Sequence, residues 1–309
     1  MGLLDGKVAV ITGAGAGLGR AYALLLAQEG ARVVVNDFAR AAAPGEPSPA
    51  ERVVAEIQAL GGQAAANHSD VGSVAGGEAI LTTALDAFGG VDILVNNAGI
   101  LRDRSLPKME EADFDLVVRV HLKGTYCVTR PVFLHMKDRG RGGVVVNTTS
   151  TSGLRGNFGQ INYGSAKAGI WGFSNSLAIE GQKYGIRVWT IAPAAASQLT
   201  DATTSPAYKQ TFTAERVAPV LLYMVSELSG QQTGKTLLAG GGYVSEIRME
   251  MGQGFTPPAD FQAADLAAAI AAGQVMMPAR DLKYVNAYGP TALAPAAPDR
   301  PATSSPAEA

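Results

Sequence analysis

The stretch Val8-Ala9-Val10-Ile11-Thr12-Gly13-Ala14-Gly15-Ala16-Gly17-Leu18-Gly19 decides the fold of this 309-residue chain. A short apolar run enters a glycine-rich turn and continues into an Ala/Leu-rich stretch, which reads as strand, tight turn and helix. The strand lacks polar alternation, as expected when both faces of a parallel sheet are covered. Gly13 and Gly17 permit close approach of backbone to a pyrophosphate, and Gly19 permits close packing of helix on strand. Ala16 and Leu18 complete the turn, and the helix N-terminus presents unpaired N–H groups to an anion.

Outward from that stretch, β-branched runs alternate with longer Ala/Leu-rich segments as far as Tyr243, the pattern of βαβ units. Strands are expected at Val8–Thr12, Arg32–Asn36, Gln63–Asn67, Ile93–Asn96, Gly143–Thr148, Arg187–Ala192 and Lys235–Ala239. Helices are expected at Leu18–Glu29, Pro49–Leu60, Ala75–Phe88, Glu111–Arg139, Gln160–Tyr184 and Ala214–Leu228. The fold class is therefore α/β, a doubly wound parallel seven-stranded Rossmann sheet in a single domain with a C-terminal extension. Residues 1–250 form that domain and 251–285 an apolar appendix, which packs over the substrate cleft or a partner or is a passive tail. Residues 286–309, with five prolines among Ala, Ser and Thr, read as disordered.

The formal charge of −2 leaves no electrostatic footprint for nucleic acid, and no Lys/Arg cluster suggests a membrane surface. No apolar run reaches the roughly 20 residues of a membrane-spanning helix. One cysteine, Cys127, and a start without a secretory pattern lead to an intracellular, cytoplasmic expectation. No metal-ligand set is assigned.

Asp37 directly follows the second strand, where a carboxylate can accept from both adenosine ribose hydroxyls and repel a 2′-phosphate. This favours NAD over NADP, with Arg32 and Arg40 as nearby opposing charges; the alternative is a turn or cap. Asp70 either contacts adenine or caps the following helix. Tyr163 and Lys167 stack one helical turn apart, with Ser150 thirteen residues before the tyrosine. A cation and a hydroxyl held at the phenol would depress its pKa from about 10 and let it exchange a proton with a carbonyl or carbinol oxygen.

Together these elements resemble the short-chain dehydrogenase/reductase family over roughly residues 4–245: the Thr12–Gly19 turn, Asn96-Asn97-Ala98-Gly99, and the Ser150, Tyr163 and Lys167 set. Cofactor contacts implied by the resemblance are Asp70 and Val71 at adenine, Asn96 to Gly99 along the cleft, and Pro193 over the nicotinamide. Longer stretches, including Thr12–Tyr22, Asn96–Ser105, Val120–Gly124 and Gly156–Gln160, resemble the (3R)-hydroxyacyl-CoA dehydrogenase unit of peroxisomal multifunctional enzymes type 2 and bacterial relatives, some of them described as 17β-hydroxysteroid dehydrogenases. His121 stands where the wider family has Asn and is expected to keep a proton relay with altered geometry. Ala194 departs from the family's glycine, which leaves nicotinamide contacts at Ala195, Ala196 or Thr200 undecided.

The resemblance implies NAD-dependent oxidation of a (3R)-hydroxyacyl-CoA, with Ser150 holding the oxygen, Tyr163 as base and Lys167 beside it. Alternatives are oxidation of a steroid or other secondary alcohol, and an inactive nucleotide-binding regulator. The partners implied are a small-molecule substrate and further copies of the chain. By the resemblance a homodimer or homotetramer would form through the two long helices, which carry Trp171 and Phe173, though a monomer core could also absorb these side chains.

Overall fold

The structure is a computed structural model that describes residues 2–39, 41, 43, 45–196, 205–252 and 254–275. The chain divides into two compact units, Met1–Arg248 and Met249–Ala309. In the first, one sheet contains β1 (Val8–Thr12), β2 (Arg32–Asn36), β3 (Gln63–Asn67), β4 (Ile93–Asn96), β5 (Gly143–Thr148), β6 (Ile186–Ala194), β7 (Lys235–Gly240) and β8 (Tyr243–Ile247). The order is β3-β2-β1-β4-β5-β6-β7-β8. The order reverses between β1 and β4, which opens a crevice at the carboxyl ends of the strands, where ligands bind in such sheets.

The apolar strands feed two cores in alternation. Ala9, Ile11, Val33, Val35 and Val95 pack on one face, and Val10, Val34, Leu94 and Val145 on the other. α1 (Gly17–Gln28), α2 (Pro49–Ala59) and α9 (Ala218–Val225) cover the first face; α3 (Val74–Phe88), α5 (Gly124–Arg139) and α7 (Ile161–Gly181) cover the second. Each fully buried Ile, Leu or Val contributes about 1.5–3 kcal/mol of transfer free energy. A polar substitution at Ile11 would therefore disrupt the centre of one core.

Seven expected strands are present, but the sheet has eight. β7 pairs with β8 antiparallel through a two-residue turn in which Gly241 and Gly242 have φ of +59° and +87°. Two consecutive positive φ angles suit the primed hairpin turns that match strand twist. The sheet is thus mixed and mostly parallel.

The expected helix over 111–139 is also interrupted: α4 (Glu111–Val118) passes through a π-helical turn, Arg119–Lys123, before α5. Two short helices outside the expected set are α6 (Thr151–Arg155) and α8 (Pro206–Thr211). In the second unit, α10 (Ala263–Ala271) begins with a Gln262/Asp265 capping box.

Trp171 and Phe173, read as serving either a subunit interface or the protomer core, make contacts within the protomer. Trp171 donates to Thr236 Oγ1 at 2.9 Å, and Phe173 packs on the second core. No helix among the described residues is long and apolar enough to cross a membrane.

Candidate active site

The glycine turn is shaped by the absence of side chains. Gly13 has φ +62°, and a Cβ there would stand 2.7 Å from Ala98 Cα; a Cβ on Gly19 would stand 2.2 Å from the Gly13 carbonyl oxygen. Thr12 Oγ1 accepts from the backbone N–H groups of Asn97 (3.0 Å) and Ala98 (3.1 Å), and Asn97 Nδ2 donates to the carbonyls of Thr12 and Gly13. The Asn97 amide therefore braces the turn. Beside it lies a shallow recess lined by Thr12, Val71, Asn96, Ala98, Val120, Gly124 and Thr125. A helix N-terminus behind a glycine-rich turn fits a dinucleotide pyrophosphate.

Asp37 reaches back to this turn. Its Oδ2 accepts from Gly15 N–H and its Oδ1 from Ala39 N–H, both at 2.9 Å. The turn role weighed from sequence is thus present, and it aims the carboxylate at the glycine loop. Arg32 stands at the opposite end of β2, donating to the carbonyls of Phe88 and Gly6, so it does not neutralise that carboxylate. Arg40, Thr200 and the 286–309 tail lie outside the described residues.

Asp70 is not the helix cap. Ser73 caps α3 through Gly76 N–H, while Asp70 accepts from Arg119 Nη1 at 2.6 Å and from Gly72 N–H at 2.8 Å. Those bonds hold its carboxyl below the usual carboxylate range against a burial effect that alone would raise it.

At the carboxyl end of β5, Ser150 is the N-cap of α6 and accepts from Ser152 N–H at 3.1 Å. The O–H is left free to donate. In the first turn of α7, Asn162 is fully buried; its amide donates to the Arg102 carbonyl at 2.9 Å and accepts from Tyr163 N–H at 2.8 Å. Gly153 lets α6 lie against α7, since a Cβ there would stand 2.5 Å from Ala168 N. Lys167 is buried, donates from Nζ to the Thr148 carbonyl at 2.6 Å, and lies 5.5 Å from the Tyr163 ring centroid. Ser150, Tyr163 and Lys167 therefore meet in one place, as the sequence spacing requires.

Their ionisation corrects the sequence expectation. Burial pushes the Tyr163 phenol up to about 12; the Ser150 hydrogen bond pulls the other way, and the nearby Asp103 charge adds to the rise. Burial also pulls Lys167 down to about 7. A desolvated lysine held near neutrality is a weak source of positive charge, so it alone does not depress the tyrosine.

His121 occupies the π-helical turn, 3% exposed. Its ring meets the Tyr163 ring edge-on at 5.2 Å between centroids. Nε2 lies 2.8 Å from the Ile100 carbonyl and 3.0 Å from the Ile100 N–H. One nitrogen can serve only one of these in a given tautomer. Burial drives the ring down to about 3, hence neutral, and Nδ1 has no partner among the described residues. The His121 carbonyl accepts from Thr125 Oγ1 at 2.8 Å. Gly99 makes room for the ring: a Cβ there would stand 2.3 Å from His121 Cε1.

Sequence reasoning missed a buried polar chain behind the site. Asn96 Nδ2 donates to Thr129 Oγ1 and Asn147 Oδ1, and Asn147 Nδ2 donates to Ser174 Oγ, linking β4 and β5 to α5 and α7. The available signal was Asn147, a polar residue inside the apolar Val144–Val146 strand. Pro193 lies in β6 opposite Ala239 of β7.

Residues 7–209 match the short chain dehydrogenase family, and the chain belongs to it. The chain is 45% identical over 250 residues to a peroxisomal multifunctional enzyme A of Dictyostelium discoideum, covering 80% of this chain and 56% of that one. It is 46% identical over 249 residues to a peroxisomal multifunctional enzyme type 2 of Mus musculus, covering 80% of this chain and 33% of that one. It thus spans about half the length of these relatives or less. Among solved structures, a short chain dehydrogenase from Mycobacterium avium matches with TM-score 0.81 and 37% identity, over 90% of this chain and 98% of the other. A 7α-hydroxysteroid dehydrogenase complexed with NADH and 7-oxo glycochenodeoxycholic acid matches with TM-score 0.69 and 33% identity, over 77% of this chain and 94% of the other.

The expected resemblance to the multifunctional enzymes is borne out. The cytoplasmic expectation is not: relatives from Dictyostelium, mouse, Neurospora, Drosophila and Saccharomyces are peroxisomal enzymes. A low cysteine count and a near-neutral charge are compatible with several compartments, so composition could not have identified one.

Proposed function

We propose that this chain oxidises a (3R)-hydroxyacyl-CoA to the 3-oxoacyl-CoA with NAD⁺. The observation that supports the reading is the convergence of Ser150, Tyr163 and Lys167 after β5, with the Tyr163 ring against His121 and His121 against Gly99 of the loop after β4. Gly13, Ala16, Gly17, Leu18 and Gly19 hold the pyrophosphate, Asp37 the adenosine ribose, and Asp70 and Val71 the adenine side. When bound, NAD⁺ would supply the hydride acceptor. Ser150 donates to the substrate oxygen, and Tyr163 takes its proton as general base. Lys167 holds the nicotinamide ribose. His121, neutral and fixed on Ile100, keeps the relay side of Tyr163 dry.

Residues 1–250 carry this chemistry, and 251–285 form an appendix to it. The functional unit is a homodimer or homotetramer, supported by the exposed Tyr126, Leu134 and Ile179 on α5 and α7. A free hydroxysteroid is the second reading, supported by the structural similarity to a hydroxysteroid dehydrogenase.

The test is initial NADH formation from matched concentrations of 3-hydroxyacyl-CoA thioesters and free hydroxysteroids, with NAD⁺ and with NADP⁺. The thioester with NAD⁺ is expected to be fastest. Oxidation of the free steroid alone would replace the first reading with the second.

A further inference from the structure

The proton and cofactor chemistry leaves one built feature of the cleft unused: the rim formed by residues 102–105 and 155–160. Arg104 N–H donates to the Gly159 carbonyl at 2.8 Å, and Arg104 bridges to Gln160 in parallel, so the two segments lie side by side. Gln160 ties the rim together: its Oε1 accepts from Ser152 Oγ and Asn157 Nδ2, and its Nε2 donates to Asp103 Oδ2, each at 2.8 Å. This rim borders the catalytic residues. Asn162, adjacent to Tyr163, is bonded to the Arg102 carbonyl, the Asp103 charge acts on the Tyr163 phenol, and α6 runs from Ser150 to Arg155.

Three exposed arginines stand here, Arg102, Arg104 and Arg155. Arg102 is 3.7 Å from Asp113. Arg104 donates to its neighbour's backbone carbonyl, and neither Arg104 nor Arg155 has a carboxylate within ion-pair distance among the described residues. The carboxylate closest in sequence, Asp103, turns to Gln160 instead. Phe158 projects from the same rim, 81% exposed, between Gly156 and Gly159, whose φ angles of +87° and +78° suit glycine. An aromatic side chain so exposed offers a face on which a flat ring can stack, and arginine is the residue suited to phosphate.

We propose that Arg104, Arg155 and Phe158 form a subsite for the phosphorylated nucleotide handle of coenzyme A, outside the catalytic pocket and separate from the dinucleotide turn. The assignment rests on the acyl-CoA reading above and makes it specific: the rim selects a thioester carrier bearing phosphates over an uncharged alcohol. Its partners are phosphate oxygens for the two guanidiniums and adenine for the phenyl ring.

The test compares one 3-hydroxyacyl chain carried on coenzyme A and on N-acetylcysteamine, which lacks the nucleotide, using the full chain with saturating NAD⁺. The Arg104→Gln/Arg155→Gln double variant is expected to lose about tenfold in kcat/KM for the CoA thioester, through KM, as when two solvent-exposed charge-assisted contacts are removed. Its kcat/KM for the truncated thioester and its KM for NAD⁺ should not change. The Arg104→Lys/Arg155→Lys double variant should recover part of the loss, because the charge is kept. Equal losses on both substrates, or no loss on either, overturns the rim. A wild-type enzyme that oxidises the truncated thioester as efficiently as the CoA form overturns the rim and leaves the acyl reading intact. Oxidation of a free hydroxysteroid but of neither thioester overturns the acyl reading and the rim with it.

Discussion

The glycine turn after β1 and the serine–tyrosine–lysine cluster after β5 are built on opposite principles. The turn works by what is missing: a Cβ at Gly13 or Gly19 would enter backbone within 2.7 Å, so sterics alone fixes the residue type. The cluster works by what surrounds it: burial holds Tyr163 near 12 and Lys167 near 7. A steric requirement can be read from residue type and spacing. A charge state depends on every element that removes water from the site, so it emerges only when the sheet, α6 and α7 have assembled.

The largest expected effect follows from the cluster. Tyr163→Phe removes one hydroxyl and should lower kcat by about 10³-fold or more, the upper range for loss of a general base. NADH affinity, measured by fluorescence titration, should change severalfold at most, because the turn and Asp37 are untouched. A variant that kept normal turnover would remove Tyr163 from the mechanism. Loss of NADH binding on the same scale would dissolve the separation between the two regions.

Gly13→Ala should show the converse, with a smaller effect. Strain at φ +62° and the clash with Ala98 are expected to amount to about 1–3 kcal/mol. The turn is expected to relieve that strain by moving out of its place for the dinucleotide, which should give roughly tenfold to hundredfold weaker NADH binding with kcat at saturating NAD⁺ nearly unchanged. An unaltered NADH dissociation constant would mean that the turn does not hold the dinucleotide.

This division also accounts for how much was legible in the sequence. Val8–Ile11, Val33–Val35 and Val144–Val146 announced their strands because strands covered on both faces need no polar alternation. The cofactor turn and the Ser150, Tyr163 and Lys167 set were legible because each uses fixed local spacing. β8 lies outside the βαβ rhythm although its signal is present: Gly241-Gly242 forms a two-residue hairpin turn, which returns the chain antiparallel without a helix. The π-helical turn at 119–123 was not legible, since it leaves the apolar periodicity of α4 and α5 nearly undisturbed and is held by His121 on Ile100, a contact between distant segments. The direction of the Tyr163 shift was misread for the same reason, because the sequence showed a neighbouring cation and could not show the desolvation of both groups.

The smallest effect separates the two regions by pH. His121 is held near 3 in the fold and would titrate near 6.5 in the unfolded chain, so the unfolded state binds more protons between those values. Stability must therefore fall as pH drops below 6.5, by about 2 kcal/mol from pH 7 to pH 5 for this group. Lys167 acts in the other window: with about 7 folded against 10.5 unfolded, the unfolded chain again holds the extra proton, and stability should rise as pH increases from 7 to 10.5. His121→Asn removes the first titration and keeps a polar, uncharged side chain at that position. Urea unfolding at pH 7 and pH 5 should give a flatter acid limb for His121→Asn than for the wild type, whereas Gly13→Ala should shift stability equally at both pH values. Parallel acid limbs for His121→Asn and wild type would show that the histidine gains its proton without unfolding, and the dry environment assigned to the Tyr163 side of the cleft would have to be abandoned.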